Sequence, residues 1–404
     1  MMTAAAAALV TLCALCALSP ATASSAGHAL QAASGAPARA GQAGSGARVW
    51  FRRYNGPEPS WNSASSVAVS RDGTWVFVTG TSGKRGANNY ATVAYSAATG
   101  RKLWARRYIT GNAWFAALVA VSRTRVFVTG TILGQLDNAH YATVAYSAAT
   151  GRQLWVRQYK GTGRGDASSI VVNAAGSAVF VTGMGGTVAY STATGRRLWS
   201  RRGPYGLSVT VNRRGTTLFV TGQGTVAYDA ATGRQLWASG SAGGSSIAVS
   251  RNGTRVFVTG TTESPASQDA EYATTAYSAS TGSQLWASYY TLPGDTSDRA
   301  SSVVVNPAGT TVFVTGVRQY VGQYGVVGDY ATVAYNAATG SQLWVRGYAG
   351  ATNDTGFLPP ALAVSPDGTR VYFTGSSGGY RTLAYSAATG TTLWARHYPR
   401  KART

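Results

Sequence analysis

The chain has 404 residues, of which 45% are hydrophobic and only 12% charged, about half the usual charged share. Its 50 glycines, 23 tyrosines and 11 tryptophans fit a turn-rich β chain and speak against long helices, and so much apolar material excludes a disordered chain. The formal net charge of +22 favours contact with polyanions and carries no information about fold.

In chain order, residues 4–18 form an apolar run followed by Pro20 and Ala21-Thr22-Ala23. This reads as a secretory signal peptide over residues 1–23, although its first residues hold no Lys or Arg. The only cysteines, Cys13 and Cys16, lie inside it, so the mature chain is expected to hold no disulfide, thiolate metal site or Cys nucleophile. Residues 24–47 are Ala, Gly, Ser and Pro with almost no apolar bulk, the composition of a flexible linker. Beyond residue 25 no apolar run reaches 18 residues, which excludes a bundle of membrane-spanning helices.

From residue 48 onward one phrase recurs seven times: an apolar strand, V-F-V-T-G, T-V-A-Y-S-A-A-T-G and L-W. The first element ends at Gly80, Gly130, Gly183, Gly222, Gly260, Gly316 and Gly375, and the second at Gly100, Gly151, Gly195, Gly233, Gly282, Gly340 and Gly390. Each copy holds four strand-like segments, A to D. In the first copy these are 66–70, 76–79, 91–96 and 103–108. A and B are almost continuously apolar, as strands covered on both faces are. Asp72-Gly73 and Thr99-Gly100 supply the A–B and C–D turns. Seven such meanders bury both faces only when packed face to face in a ring. The expectation is an all-β, seven-bladed β-propeller of four-stranded antiparallel blades over residues 48–398, with a basic tail at 399–404.

Ala94-x-Ser96-x-x-Thr99-Gly100-x-x-x-Trp104 resembles the tryptophan-docking motif of quinoprotein-type (PQQ-like) β-propeller repeats, and it recurs in all seven copies. The motif's Asp survives only as Asp229, with Ser or Asn336 elsewhere. The turn phrase Ser-x-Asp-Gly-Thr is similar to a second bacterial propeller repeat, the Y-V-T-N type. Ala-, Gly- and Arg-rich usage resembles exported proteins of high-GC actinobacteria. The resemblance implies the fold. It would also imply PQQ, Ca²⁺ and dehydrogenase activity, but that family's adjacent Cys pair has no counterpart after Cys16, and Glu occurs only at 58, 263 and 271. No cofactor is expected.

Eight tryptophans fall at equivalent D positions: Trp50, Trp104, Trp155, Trp199, Trp237, Trp286, Trp344 and Trp394. They are expected to be structural, each wedged between neighbouring units. Eight D phrases for seven A-B-C sets leave open which terminus closes the ring. Arginines on the D strands, among them Arg52, Arg106, Arg157, Arg201, Arg346 and Arg396, read as edge protection or as a wall for an anionic polymer.

Antiparallel order puts the short A–B and C–D turns on one face and the variable B–C and D–A links on the other. Ten of the thirteen acids fall in the variable links, where function is usually grafted. Candidate ligand-binding residues there are Trp61, Trp114, Phe115, Tyr320, Tyr324 and Phe357, with Asp295 and Asp298. Asp295 and Asp298 with Asp269 and Glu271 could also hold a hard cation, against the plain reading of solvated loop acids. His28, His140 and His397 are scattered, and no catalytic set is legible. The expectation is a secreted, monomeric, non-catalytic scaffold of the cell envelope, binding carbohydrate or protein on the variable face. The alternatives are a quinoprotein-like or glycan-cleaving enzyme and a polyanion binder.

Overall fold

The computed structural model describes residues 46–399, except 57–60, 85–86, 110–112, 114–117, 134–138, 162–164, 204, 241–242, 264–269, 293–294, 296, 323–324, 349–359 and 377–378. The signal peptide, all but the last two linker residues and the tail from residue 400 lie outside that range. No helix among the described residues is long and apolar enough to cross a membrane.

Among the described residues, twenty-eight strands form seven separate sheets, each antiparallel in the order A-B-C-D. These are seven propeller blades, at 61–108, 118–159, 167–201, 206–239, 246–290, 299–348 and 361–399. Strand alternation explains the continuous apolar runs. In V-F-V-T-G the valines face the preceding blade. The phenylalanine faces the following one and meets the blade's own tryptophan, as Phe127 meets Trp155 with ring centroids 5.7 Å apart. Each indole then reaches across. Trp104 donates to the Ala148 carbonyl at 2.8 Å, Trp199 to that of Ala230 at 2.9 Å and Trp344 to that of Ala387 at 3.1 Å. Trp155, Trp237 and Trp286 do the same. All six are nearly buried, and burying such a ring contributes on the order of 2–3 kcal/mol.

The D-strand arginines have a role that charge alone did not disclose. Two residues after the tryptophan, Arg106, Arg157, Arg201 and Arg346 each donate Nε to the C–D turn glycine carbonyl of the next blade, at 2.7–3.0 Å. Nη2 of each reaches the preceding threonine carbonyl. In blade 5 Ser288 takes this place, donating to Gly340 at 2.6 Å. Tryptophan and arginine thus grip one turn from two sides.

That turn requires glycine for two reasons. Gly233 has φ +70°, and a Cβ there would lie 2.6 Å from the Trp199 ring. Gly73, in an A–B turn, has φ +73° with nothing within 4 Å. Gly233→Ala is therefore expected to cost well over the roughly 1 kcal/mol of left-handed strain that Gly73→Ala incurs. Urea melts of the two variants check this; equal losses would show that the ring does not abut the turn.

The junction of blades 7 and 1 differs from the other six. Six apolar cores lie between successive blades, from 1–2 through 6–7. Among the described residues none spans blades 7 and 1. Residues 46–54 occupy the seam instead. Gly46, at φ +61°, lies under the Trp394 ring as a turn glycine would, and Arg396 donates to its carbonyl at 3.1 Å. Four residues on, Trp50 donates to the Ala97 carbonyl of blade 1 at 2.6 Å, and Arg52 grips Gly100 and Thr99. Phe51 stacks on Tyr398, centroids 5.0 Å apart. The C-terminal D strand pairs within blade 7, and the N-terminal phrase adds beside it without displacing it.

Candidate functional site

The A–B turns are held by one local device. Asp72 accepts from Ser70 and from both the backbone and the hydroxyl of Thr74, and these bonds hold its carboxyl below the usual range. Asn173, Asn212 and Asn306 play the same part. These acids and amides are engaged in folding the constant face.

The opposite face varies by lengthening its hairpins. Strands B and C of blade 4 span only Thr217–Gly222 and Thr225–Asp229, whereas those of blade 6 span Thr311–Gly322 and Gly325–Asn336. This stretch belongs to the variable B–C links of the sequence. The ladder in fact continues in register, Val317 opposite Tyr330 and Tyr320 opposite Val327, so the excess chain stands up as a paired hairpin.

The D–A link of blades 5 and 6 is stitched against this hairpin. Asp295 bridges to Tyr320 and Ser297 to Ala270, and the Asp298 N–H donates to the Ala270 carbonyl at 2.6 Å. At its centre Arg318 donates Nε and Nη2 to the two carboxylate oxygens of Asp295, at 2.9 and 2.7 Å. The Asp295 side chain is 1% exposed, and its Oδ2 also accepts from the Leu292 N–H at 3.0 Å. This bidentate grip raises Arg318 above its ordinary value.

Asp298 is fully buried, and among the described residues neither of its oxygens has a well-formed hydrogen bond. Burial first, and the Asp295 carboxylate second, push it up to about 7. The Tyr272 hydroxyl beside it is also buried without a partner among the described residues; burial and the Asp298 charge raise its pKa. An unfolded Asp releases its proton near ~3.9, and the folded one does so near 7. Over that window the folded state holds more protons, so this group's stabilising contribution is complete at low pH and is lost as pH rises towards 7. Asp298→Asn is expected to flatten the melting temperature between pH 5 and 8 and to raise it at the alkaline end. A variant curve parallel to that of the parent would show that Asp298 does not titrate there.

The structure thus gathers Asp295, Asp298 and Tyr320 at the seam of blades 5 and 6. Tyr320 is half-buried, and the neighbouring Asp329 raises its pKa. Trp61 begins strand A of blade 1, opposite Gly83, and belongs to a different part of the ring. Trp114, Phe115, Tyr324, Phe357 and Asp269 lie outside the described residues. Arg318 and Tyr272 escaped the sequence reading. One lies 23 positions from its partner, and the other sits in the repeated Y-A-T phrase, where nothing distinguishes it. No group of three His, Cys, Asp or Glu side chains among the described residues could hold a metal, and Asp295 is committed to Arg318.

Residues 34–206 and 186–403 match the family profile described as outer membrane protein assembly factor BamB, a PQQ-like repeat. No curated protein matches the sequence. Among solved structures, the chain is similar to Kuenenia stuttgartiensis hydrazine synthase, with a TM-score of 0.48 and 12% identity over 67% of this chain and 76% of that one.

Proposed function

Because the chain belongs to this PQQ-like β-propeller repeat family, we propose that it is a secreted, non-catalytic scaffold that binds its ligand on the face of the B–C hairpins and D–A links. The observation that carries this reading is the Asp295–Arg318 grip. It fixes a variable link against a variable hairpin, while the blade interiors keep one repeated register. A surface held in this way is preorganised for binding, and the half-buried Tyr320 beside it is the kind of residue that anchors an interface. The family's description as an assembly factor favours a protein ligand over a carbohydrate.

Pull-down from envelope extract and a glycan array test the proposal. Tyr320→Ala is expected to weaken capture by tenfold or more with the fold intact. Undiminished capture by that variant would remove this face. The polyanion reading is weakened, since the D-strand guanidiniums already donate to turn carbonyls.

A further inference from the structure

The seam between blades 7 and 1 differs from every other in what it leaves uncovered. In blades 2 to 6 the two valine positions of V-F-V-T-G, which face the preceding blade, are buried, from Val126 and Val128 through Val312 and Val314. In blade 1 the equivalents Val76 and Val78 are half-buried, as is Val67, opposite Val78 on strand A. The facing wall of blade 7 shows the same defect. Tyr90, Tyr141, Tyr272 and Tyr330 point into the following blade and are at most 1% exposed, whereas their counterpart Tyr380 is 62% exposed. Tyr372, Thr374 and Thr382 are half-buried where their counterparts in blades 1 to 6 are buried.

Among the described residues no blade core joins these two walls, and residues 46–54 lie at the outer edge between them. That segment carries a complete D phrase, with its turn glycine, indole and arginine all docked. Unlike the other D phrases, it is not part of a paired strand among the described residues. Among the described residues no A-B-C set stands beside it.

We propose that this slot receives a β element from a partner polypeptide, added as strands inside residues 46–54 and packed between Val67, Val76 and Val78 on one wall and Tyr372, Thr374, Tyr380 and Thr382 on the other. The proposal concerns a different site from the loop face and stands independently of it. The repeat defines the occupant's chemistry: apolar residues directed to both walls, and a backbone edge able to hydrogen-bond. Arg53, exposed at the outer rim with Nη2 donating to the Tyr398 hydroxyl, favours an acidic flank. Residues 1–45 contain no V-F-V-T-G or T-V-A-Y phrase. A second copy could fill the slot only by unfolding one of its own blades.

The test uses the full chain and a synthetic peptide of residues 206–229, the A-B-C set of blade 4, carrying Arg213→Asp and Arg214→Asp. The expected result is one peptide per chain, with amide exchange at 47–54 and 76–78 slowed tenfold or more and no response to a scrambled peptide. Val78→Asp is expected to abolish binding and barely shift the melting temperature, while Val314→Asp, in a filled seam, prevents folding. Absence of peptide binding would overturn the proposal. So would a Val78→Asp variant as damaged as Val314→Asp, which would mean that blades 7 and 1 meet directly, or a concentration-dependent dimer that already protects those amides.

Discussion

Trp199→Ala is expected to lower the stability of the fold by about 3–5 kcal/mol, the range for a large aromatic removed from a packed interior. The indole is 7% exposed. It meets Phe180 of its own blade at 5.8 Å and Tyr228 of the next at 6.1 Å. Its N–H satisfies the Ala230 carbonyl at 2.9 Å, and its ring covers Gly233. Truncation opens a void between two rigid sheets that cannot collapse onto each other, and it leaves a carbonyl without its donor. Trp394→Ala should cost markedly less, because that ring is only half-buried at the incomplete seam. Chemical denaturation of both variants provides the comparison. A Trp199 loss no larger than that at Trp394 would remove the docking role assigned to these residues.

Arg318→Ala is expected to cost about 3–5 kcal/mol, because it leaves a buried carboxylate without its counter-charge. The neighbourhood makes the loss worse: Asp298 is buried a few residues away and repels the same charge. Asp295→Asn in the Arg318→Ala background should recover much of the loss, since the orphaned charge is then gone. Loss of stability that the second substitution leaves untouched would mean that Arg318 acts through packing of its stem. The same pair of variants should loosen the link at 291–298, which hydrogen exchange would show as faster amide exchange at Ser297 and Asp298.

The architecture could be read in the sequence because each blade repeats the same physical solution. Phenylalanine, threonine and tryptophan recur at fixed offsets, and their burial follows from strand alternation. The arginine grip was hidden for a physical reason. A charge on an edge strand looks the same in sequence whether it faces water or a neighbour's carbonyls; the regular offset between Trp104 and Arg106, or Trp155 and Arg157, was the available signal. The seam was hidden in a similar way. Gly46 lies in an Ala- and Gly-rich stretch that reads as a linker, although Gly46-x-x-x-Trp50 repeats the spacing of Gly100-x-x-x-Trp104. The Asp295–Arg318 pair had no sequence signal at all. It depends on how far a hairpin continues in register, and polar residues such as Arg318 and Gln319 do not announce that.

Each indole docks on the following unit, and residues 46–54 carry that relay from blade 7 back to blade 1. Hydrogen exchange of the indole N–H protons, each assigned by a single Trp→Phe substitution, measures this directly. The prediction is strong, comparable protection at Trp104, Trp155, Trp199, Trp237, Trp286 and Trp344, and protection at Trp50 as well, although its segment forms no strand. A Trp50 indole proton exchanging at the rate of free tryptophan, with the other six protected, would contradict the closure described here.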